Sequence, residues 1–456
     1  MYKLLFILLL CFSTIQASLV STGFLQNDLR ILEELDIDSK YITNYYLQDA
    51  YKKRLARTKN DYTKKLNNAH LFVPQIKKIL KENNIPSAFL YLVMAESNFI
   101  LHAKSHKKAM GLWQFMPRTG HRFGLTVNDY VDERMDIVKS TQSAVKYLKY
   151  LHKMFGKWYI AAIAYNCGEG RIIEGLTRAT LDMYCEHNSC RKDKTMHQYR
   201  ETIRAYQQKK VKFGEINKIY KIVLKWKYKP DINQILIKQK KISRQYIPKE
   251  SRMYIRKIIT LAMMNNSEFL ISDDNTHLLN RGITDPIATV NVKGGLHLRS
   301  IAKVIGISYT RLKNLNRHIK QNIIPPEETL YSIHIPYSTL TRFNLNIHSI
   351  KPTLHEVYRV KSGDSLAKIA RRYKIKYSLI KKFNKLKSNL LSINQKLLIP
   401  VDPRLVKRDI IYIVRNGDSL GKIAKQYKIK LKKLKKDNNI KTSLINIGDK
   451  IVIKHN

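Results

Sequence analysis

Glu96 is the side chain in this sequence best placed to do chemistry. It closes an unbroken apolar run, Ala88–Ala95, and Ser97 follows at once. A carboxyl group emerging from an apolar helix sits in a low dielectric, which disfavours the carboxylate and raises its pKa. If the run ends as a helix, the negative end of the helix dipole pushes the same way. A carboxyl group kept protonated near neutral pH is what a general acid requires. Taken alone, the segment equally fits a glutamate that ends a core helix and turns outward to water. Its company tips the balance: Gly111-Leu112-Trp113-Gln114 follows shortly, and Ala164-Tyr165-Asn166-Cys167-Gly168 further on. Gln114 and Asn166 are polar amides bordering apolar segments, where polar groups need a reason.

These residues need helices to hold them. Pro86 stands just ahead of the apolar run, where a first helical turn tolerates its missing N–H. The run is too short to span a bilayer and, being apolar on nearly every side, reads as a helix buried in a protein core. Between Thr141 and Phe155, Ala144, Leu148, Leu151 and Phe155 mark one helix face, with Lys146, Lys149 and Lys153 on the other. Trp158–Tyr165 reads as a second buried helix running into a turn at Asn166-Cys167-Gly168. From Ser18 to about Asn83 the chain is polar with helical periodicity, carried by Leu29, Leu32 and Leu35 and later by Ile76, Ile79 and Leu80. This segment wraps or precedes the catalytic core. Period-two alternation is nearly absent, so the domain is expected to be mostly α.

Glu96-Ser97, the GLWQFMPRTG block at Gly111–Gly120 and AYNCGEG at Ala164–Gly170 resemble, in order and spacing, the motifs of lytic murein transglycosylases of the Slt and goose-lysozyme-like group. YIPKESRMY at Tyr246–Tyr254 resembles the later block of that family. The resemblance implies a lysozyme-like domain over 84–265 in which Glu96 is the catalytic acid. It implies that Ser97 supports Glu96 or the bound sugar, and that Gln114 and Asn166 offer amide contacts to substrate. Tyr165 and Tyr254 would border the acid and hydrogen-bond near it, and Gly111 would let backbone approach the sugar closely. Trp113 and Phe115 are expected in the core. Cys167 stands where the family has a small alanine. Glu169 raises the question of a second carboxylate, but fits better as the opening residue of the next helix. Asp132, Glu133 and Asp136 read as helix-entry and salt-bridge residues. The family commonly places AYNCGEG and the later block closer together, so 183–245 reads as an insertion, with a helical appendage beside the substrate groove as its suggested form.

The 456 residues imply more than one domain. Met1–Ala17 has the layout of a secretory signal peptide with cleavage after Ala17; Cys11 raises a lipoprotein signal, but the preceding Leu10 is not the small residue that requires. An uncleaved anchor is the third option. The net charge of +49 is spread along the chain. Export and the lack of any nucleic-acid module argue against a nucleic-acid partner. The charge suits anionic lipid head groups, hence a membrane surface, and the carboxylates of wall peptides, although a Lys-, Ile- and Asn-rich composition accounts for most of it. Without Cys11, three cysteines are left; Cys185 and Cys190, bracketing a short polar loop, are the expected pair and Cys167 the free one. No cofactor or metal is expected. His187 beside that pair fits no zinc spacing, and His102 and His106 have Ala103 where a zinc-protease helix needs Glu.

Tyr358–Lys376, YRVKSGDSLAKIARRYKIK, returns as Tyr412–Lys430, YIVRNGDSLGKIAKQYKIK. Each copy opens with a strand pattern, turns at Gly-Asp, enters a helix at Ser-Leu, continues through a second helix and closes on an apolar strand at Lys396–Pro400 or Lys450–Lys454. Asp364 and Asp418 suit the helix start. These units, 358–400 and 412–454, resemble LysM modules, which implies binding of N-acetylglucosamine-containing glycans with Gly363, Asp364, Ser365, Gly417, Asp418 and Ser419 as contacts. A degraded copy occupies 286–336, with Leu296-His297 in place of Asp-Ser; glycan binding and packing against the catalytic domain are its two readings. Linkers are expected at 266–285, 337–357 and 401–411.

The expected fold class is therefore α+β and multidomain: a mostly α lysozyme-like domain followed by small βααβ modules. The resemblance implies an exported, periplasmic or cell-envelope lytic transglycosylase acting on peptidoglycan glycan strands. The alternatives are a goose-type muramidase using water on the same bond and an inactive wall-binding scaffold.

Overall fold

A computed structural model of the chain describes residues 26–266 apart from 70, 129 and 241, and residues 286–350 apart from 321 and 326–328. It further describes 355–400 apart from 374, 376 and 385, and 410–453 apart from 415–417, 428, 439, 441, 443, 447 and 448. The expected signal segment Met1–Ala17, the linker at 266–285 beyond Asn266, and Gly417 lie outside the described residues. A larger unit ends at Ile350, and a smaller one is made mainly of Lys351–Asn456.

The larger unit is helical through residue 266, with no strand of more than an isolated bridge among its described residues there. Its centre is the Phe89–Ser97 helix, whose residues Phe89 through Met94 are all buried. Full burial of such side chains is worth roughly 1.5–3 kcal/mol each, which is what holds so short a helix in place. It starts later than Pro86 suggests. Pro86, Ser87 and Ala88 form a tight preceding turn, with Phe89 N bonding the Pro86 carbonyl at 3.0 Å. Asn98 ends it in the left-handed conformation, its N–H bonding the Met94 carbonyl. The Lys249–Met263 helix packs alongside, and the Trp158–Cys167 helix packs on that helix in turn.

The Ile137–Phe155 helix forms as its pattern predicts. Asp136 accepts from Val138 N and Lys139 N at its start, Gly156 takes a positive φ at its end, and Ala144, Leu148, Leu151 and Phe155 are buried. Lys146, Lys149 and Lys153 are exposed. The N-terminal helices Gln26–Glu34, Tyr45–Ala69 and Val73–Glu82 contribute Leu32, Leu47, Ile76, Ile79 and Leu80 to the same core.

Two expectations change. Residues 183–245 do not form an appendage: the Lys194–Gln207, Phe213–Val223 and Ile232–Leu236 helices deliver Ile203, Ile216, Ile219, Val223, Ile235 and Leu236 to the main core. Their apolar positions recur with helical spacing but are diluted by lysine and tyrosine. Cys185 and Cys190 are disulfide-bonded there, and Cys167 is free. The stretch 337–357 is not a plain linker either. It holds the Leu340–Asn346 helix, which buries Phe343 and packs on the Leu298–Ile305 helix.

That second helix belongs to a module in which strand Ile287–Val292 pairs antiparallel with Tyr331–Pro336, Val290 opposite Ile333. The module packs on the helical part that precedes it: Asp132 N bonds the His318 carbonyl at 2.8 Å, and the Tyr331 hydroxyl donates to Glu133 at 3.1 Å.

In the smaller unit each repeat is a strand, two helices and a strand. His355–Arg359 pairs with Lys396–Pro400, and Ile410–Ile413 with Lys450–Ile453, both antiparallel. Each repeat has its own small core, built on Leu366, Ile369 and Ile380 in one and Leu420, Ile423 and Leu434 in the other.

Candidate active site

Glu96 lies in the last turn of its helix, half-buried. The Tyr254 hydroxyl donates to Glu96 Oε1 at 2.5 Å, and Lys257 Nζ donates to the neighbouring Ala95 carbonyl at 2.7 Å. Burial raises the Glu96 pKa. The Tyr254 hydrogen bond and the Lys257 charge oppose that rise, and the charge of Glu250 adds to it. Tyr254 and Tyr165 are pushed well above the usual tyrosine range by burial and then by the Glu96 charge, so both phenols stay protonated and can only serve as neutral donors and acceptors.

Tyr165 does not bond Glu96. Its hydroxyl donates to the Trp113 carbonyl at 2.7 Å and so ties the Gly111–Gln114 turn to the Trp158–Cys167 helix. Trp113 and Phe115 are core, as expected; the Trp113 indole N–H donates to Thr141 Oγ1 at 3.0 Å. Gln114 sits at φ 47°, and its Nε2 donates to the carbonyls of Gly111 and Ala103 at 2.8 and 3.1 Å. Its amide nitrogen therefore braces the turn, and its Oε1 has no partner among the described residues.

Three other assignments need correction or narrowing. Ser97 is buried, and its hydroxyl donates back to the Val93 carbonyl at 3.1 Å, serving its own helix rather than Glu96 or a sugar. Gly111 does permit a close approach, but by Arg134: at φ +85°, an added Cβ would lie 1.8 Å from the Arg134 carbonyl oxygen. Asn166 Oδ1 accepts from the Ser251 hydroxyl at 2.6 Å, which fixes the amide's orientation and leaves its NH₂ as the group with no partner among the described residues.

Glu169 opens the Glu169–His187 helix and pairs with Arg122 at 2.9 Å, so its charge is already engaged. Asp132 pairs with Arg134 at 2.7 Å, and Glu133 with Lys139. His102 and His106 are exposed on a loop, not on a helix. Ser251, Lys257 and Glu250 were missed by sequence reasoning. All lie in or just after the YIPKESRMY block, and their helical spacing from Tyr254 could have found Ser251 and Lys257.

In the repeats, Ser365 and Ser419 are the helix caps, accepting from Lys368 N and Lys422 N at 3.2 Å. Asp364, expected in that role, instead accepts from the Tyr358 hydroxyl at 2.6 Å and from Lys361 N at 2.8 Å, closing the turn onto the first strand. Gly363 turns at φ +79°, and Asp418 precedes the second cap. A further paired element passed unnoticed: Asn384 and Asn438 each bridge a helix end to the closing strand, bonding Leu398 and Val452 respectively through both N–H and carbonyl.

Among known families, the transglycosylase SLT domain matches residues 74–180, and the LysM domain matches 358–400 and 412–454. The LysM-like domain of lytic transglycosylase MltD matches 287–351. Membrane-bound lytic murein transglycosylase D of Escherichia coli (strain K12) is 27% identical over 399 residues, covering 82% of this chain and 74% of its own. A putative tributyltin chloride resistance protein of Alteromonas sp. (strain M-1) is 37% identical over 99 residues, 22% of this chain and 48% of its own. The Bacillus cereus spore cortex-lytic enzyme SleL is 29% identical over 22% of each chain, with a TM-score of 0.12. The chain thus joins an SLT transglycosylase domain to an MltD-type LysM-like domain and two LysM modules, and over most of its length it is similar to a lytic murein transglycosylase.

Proposed function

We propose that the chain cleaves the β-1,4 bond between N-acetylmuramic acid and N-acetylglucosamine in peptidoglycan, with Glu96 acting first as acid and then as base. The observation that carries this reading is a single raised-pKa carboxyl group, at the exit of a buried helix, gripped by the Tyr254 hydroxyl. Protonated Glu96 gives its proton to the glycosidic oxygen as the C1–O bond breaks and the N-acetylglucosamine leaves with a free hydroxyl. The substrate's own acetamido group stabilises the electron-poor C1. Glu96, now a carboxylate, takes the proton of the muramyl 6-hydroxyl, whose oxygen attacks C1 and closes a 1,6-anhydro ring. Proton and electron pairs balance with no water consumed, so no second carboxylate is required, unlike in ordinary glycosidases. Tyr254 steadies the carboxylate between the two steps. The free amide groups of Gln114 and Asn166 contact the sugar without adding a charge that would fix Glu96 as an anion.

The LysM modules hold the enzyme on glycan strands, raising local substrate concentration. Export to the envelope, with the positive chain drawn to anionic membrane or wall surfaces, belongs to the same reading; among the described residues no helix is long and apolar enough to cross a membrane. The second reading, hydrolysis by water, is favoured by Glu250, a second carboxylate whose charge reaches Glu96. Mass spectrometry of murein digested by the purified protein separates the two. Anhydro ends are expected; reducing ends would transfer the assignment to a muramidase.

A further inference from the structure

Where the 287–351 module meets the catalytic helices, Asp136, His318 and His334 face one another at 0%, 0% and 1% exposure. His334 Nε2 stands 3.1 Å from Asp136 Oδ1, and His318 Nε2 stands 3.4 Å from Asp136 Oδ2. The Asp136 Oδ2 atom and both ring nitrogens of His318 are buried without a hydrogen-bond partner among the described residues. Buried polar atoms are nearly always satisfied, and two of these orphans, Asp136 Oδ2 and His318 Nε2, face each other and ask for an occupant. Lys139, the nearest ammonium, is engaged by Glu133 and by the face of Tyr331.

We propose that Asp136, His318 and His334 bind a divalent transition-metal ion of the zinc class, which staples the module to the catalytic domain. Ligand atoms of each of the three residues lie within 4.8 Å of one another. A tetrahedral ion with bonds of about 2.0–2.1 Å spaces its ligands by roughly 3.3 Å, close to the 3.4 Å between His318 Nε2 and Asp136 Oδ2, while His334 Nε2 stands 3.1 Å from the other oxygen of the same carboxylate. Two imidazoles and one carboxylate suit zinc rather than calcium or magnesium, which prefer oxygen alone. The outer partners are in place as well. His334 Nδ1 pairs with Thr289 Oγ1 at 3.1 Å, which orients the ring with Nε2 toward Asp136. Asp136 Oδ1 is held by Val138 N and Lys139 N at 2.9 and 2.7 Å, leaving Oδ2 for the ion. Burial pushes the His318 imidazole down to about 4. Burial alone would raise Asp136, but the two imidazoles and the Lys139 N–H hold it well below the carboxylate range. Neutral imidazole and ionised carboxylate are the metal-binding forms.

Because the site is closed to solvent, the ion is structural. It would anchor the start of the Ile137–Phe155 helix, and with it the Arg134 carbonyl that abuts Gly111. No other His, Cys, Asp or Glu joins the cluster among the described residues, so the remaining position falls to a second Asp136 oxygen or a buried water.

The test uses the full chain. Elemental analysis of protein isolated without chelator should give one equivalent of zinc, or, after stripping, uptake of one equivalent of Co²⁺ with the visible absorption of a low-coordinate ion, displaced by Zn²⁺. His318→Gln and His334→Gln should each lose that equivalent while keeping the far-UV circular dichroism of the parent, and a His102→Gln/His106→Gln control should keep it. Wild-type protein that holds no metal and takes up none overturns the proposal, as does undiminished binding in folded His318→Gln and His334→Gln. Should a variant fail to fold, the wild-type stoichiometry and metal-dependent unfolding temperature decide alone.

Discussion

Replacing Gly111 with alanine tests how the Gly111–Gln114 turn is held. At φ +85° an alanine is already strained, by roughly 1–2 kcal/mol for a left-handed backbone. Its Cβ would also fall 1.8 Å from the Arg134 carbonyl oxygen and 2.7 Å from the carbonyl carbon. A carbon–oxygen contact needs roughly 3.3 Å, so the two segments must part by about 1.5 Å. Arg134 cannot yield freely: its guanidinium pairs with Asp132 at 2.7 Å and donates to the Lys108 and Phe115 carbonyls at 2.9 and 3.0 Å, gripping both flanks of the same turn. Overpacking of this kind costs about 1–3 kcal/mol, for a total of about 2–5 kcal/mol. With an unfolding entropy of about 2.1 cal/mol/K per residue, a unit that reaches to Ile350 shifts by roughly 1.5 °C per kcal/mol, so the unfolding temperature should fall by roughly 3–7 °C. The three tryptophans, Trp113, Trp158 and Trp226, all precede residue 266, so their fluorescence reads this unit selectively. Gly124→Ala is the control: φ is +94° but nothing lies within 4 Å of the added Cβ, so only the strain of roughly 1–2 kcal/mol is expected. Displacing Gln114 on the order of 1 Å should also lower kcat/KM by about tenfold or more. Equal unfolding temperatures for the two variants, with unchanged kcat/KM in Gly111→Ala, would refute the reasoning.

Glu96→Gln should yield no cleavage products from purified murein while still sedimenting with sacculi; retained turnover would mean the acid lies elsewhere. Its stability should betray the raised pKa too. Such a group stabilises the fold fully below its unfolded pKa and loses that contribution as pH rises through the folded one. Glu96→Gln should therefore unfold at a temperature equal to or above the parent at neutral pH, with the gap closing on acidification in paired thermal melts. Tyr254→Phe removes a bond that favours the carboxylate, so the alkaline limb of the kcat/KM profile, where the acid loses its proton, should move to higher pH; a move to lower pH would contradict the geometry. Ending the chain at Ile350 should weaken sedimentation with sacculi and spare cleavage of short soluble glycans, and unchanged sedimentation would make the repeats structural.

What could be read in the sequence was local. The Phe89–Ser97 and Ile137–Phe155 helices announce themselves by apolar pattern, and the repeat declares itself by recurring, so these helices and the paired strands of the repeats could be anticipated, although the first helix begins later than Pro86 suggests. Tyr254 beside Glu96 could be anticipated only because a family block carried it, since the pair is 158 residues apart. Ser97 and Gly111 show the limit of motif reading. Their partners, the Val93 carbonyl and the Arg134 backbone, are set by packing that no motif spells out. The Asp364 cap failed for a different reason: two adjacent residues could each accept from the helix, and Tyr358 claimed the aspartate, leaving Ser365. Asp136 and His334, separated by 198 residues, had no local signal connecting them.

Cys167 carries a last consequence. An odd thiol in a chain with a half-buried disulfide invites scrambling, because a thiolate attacks the existing bond. Burial pushes the Cys167 thiol up to about 11, against the modest pull of Ser251 and Arg171. At neutral pH only about one molecule in ten thousand carries the reactive form. The chain can thus carry an unpaired sulfur next to Asn166 under oxidising conditions and still keep the Cys185–Cys190 bridge intact.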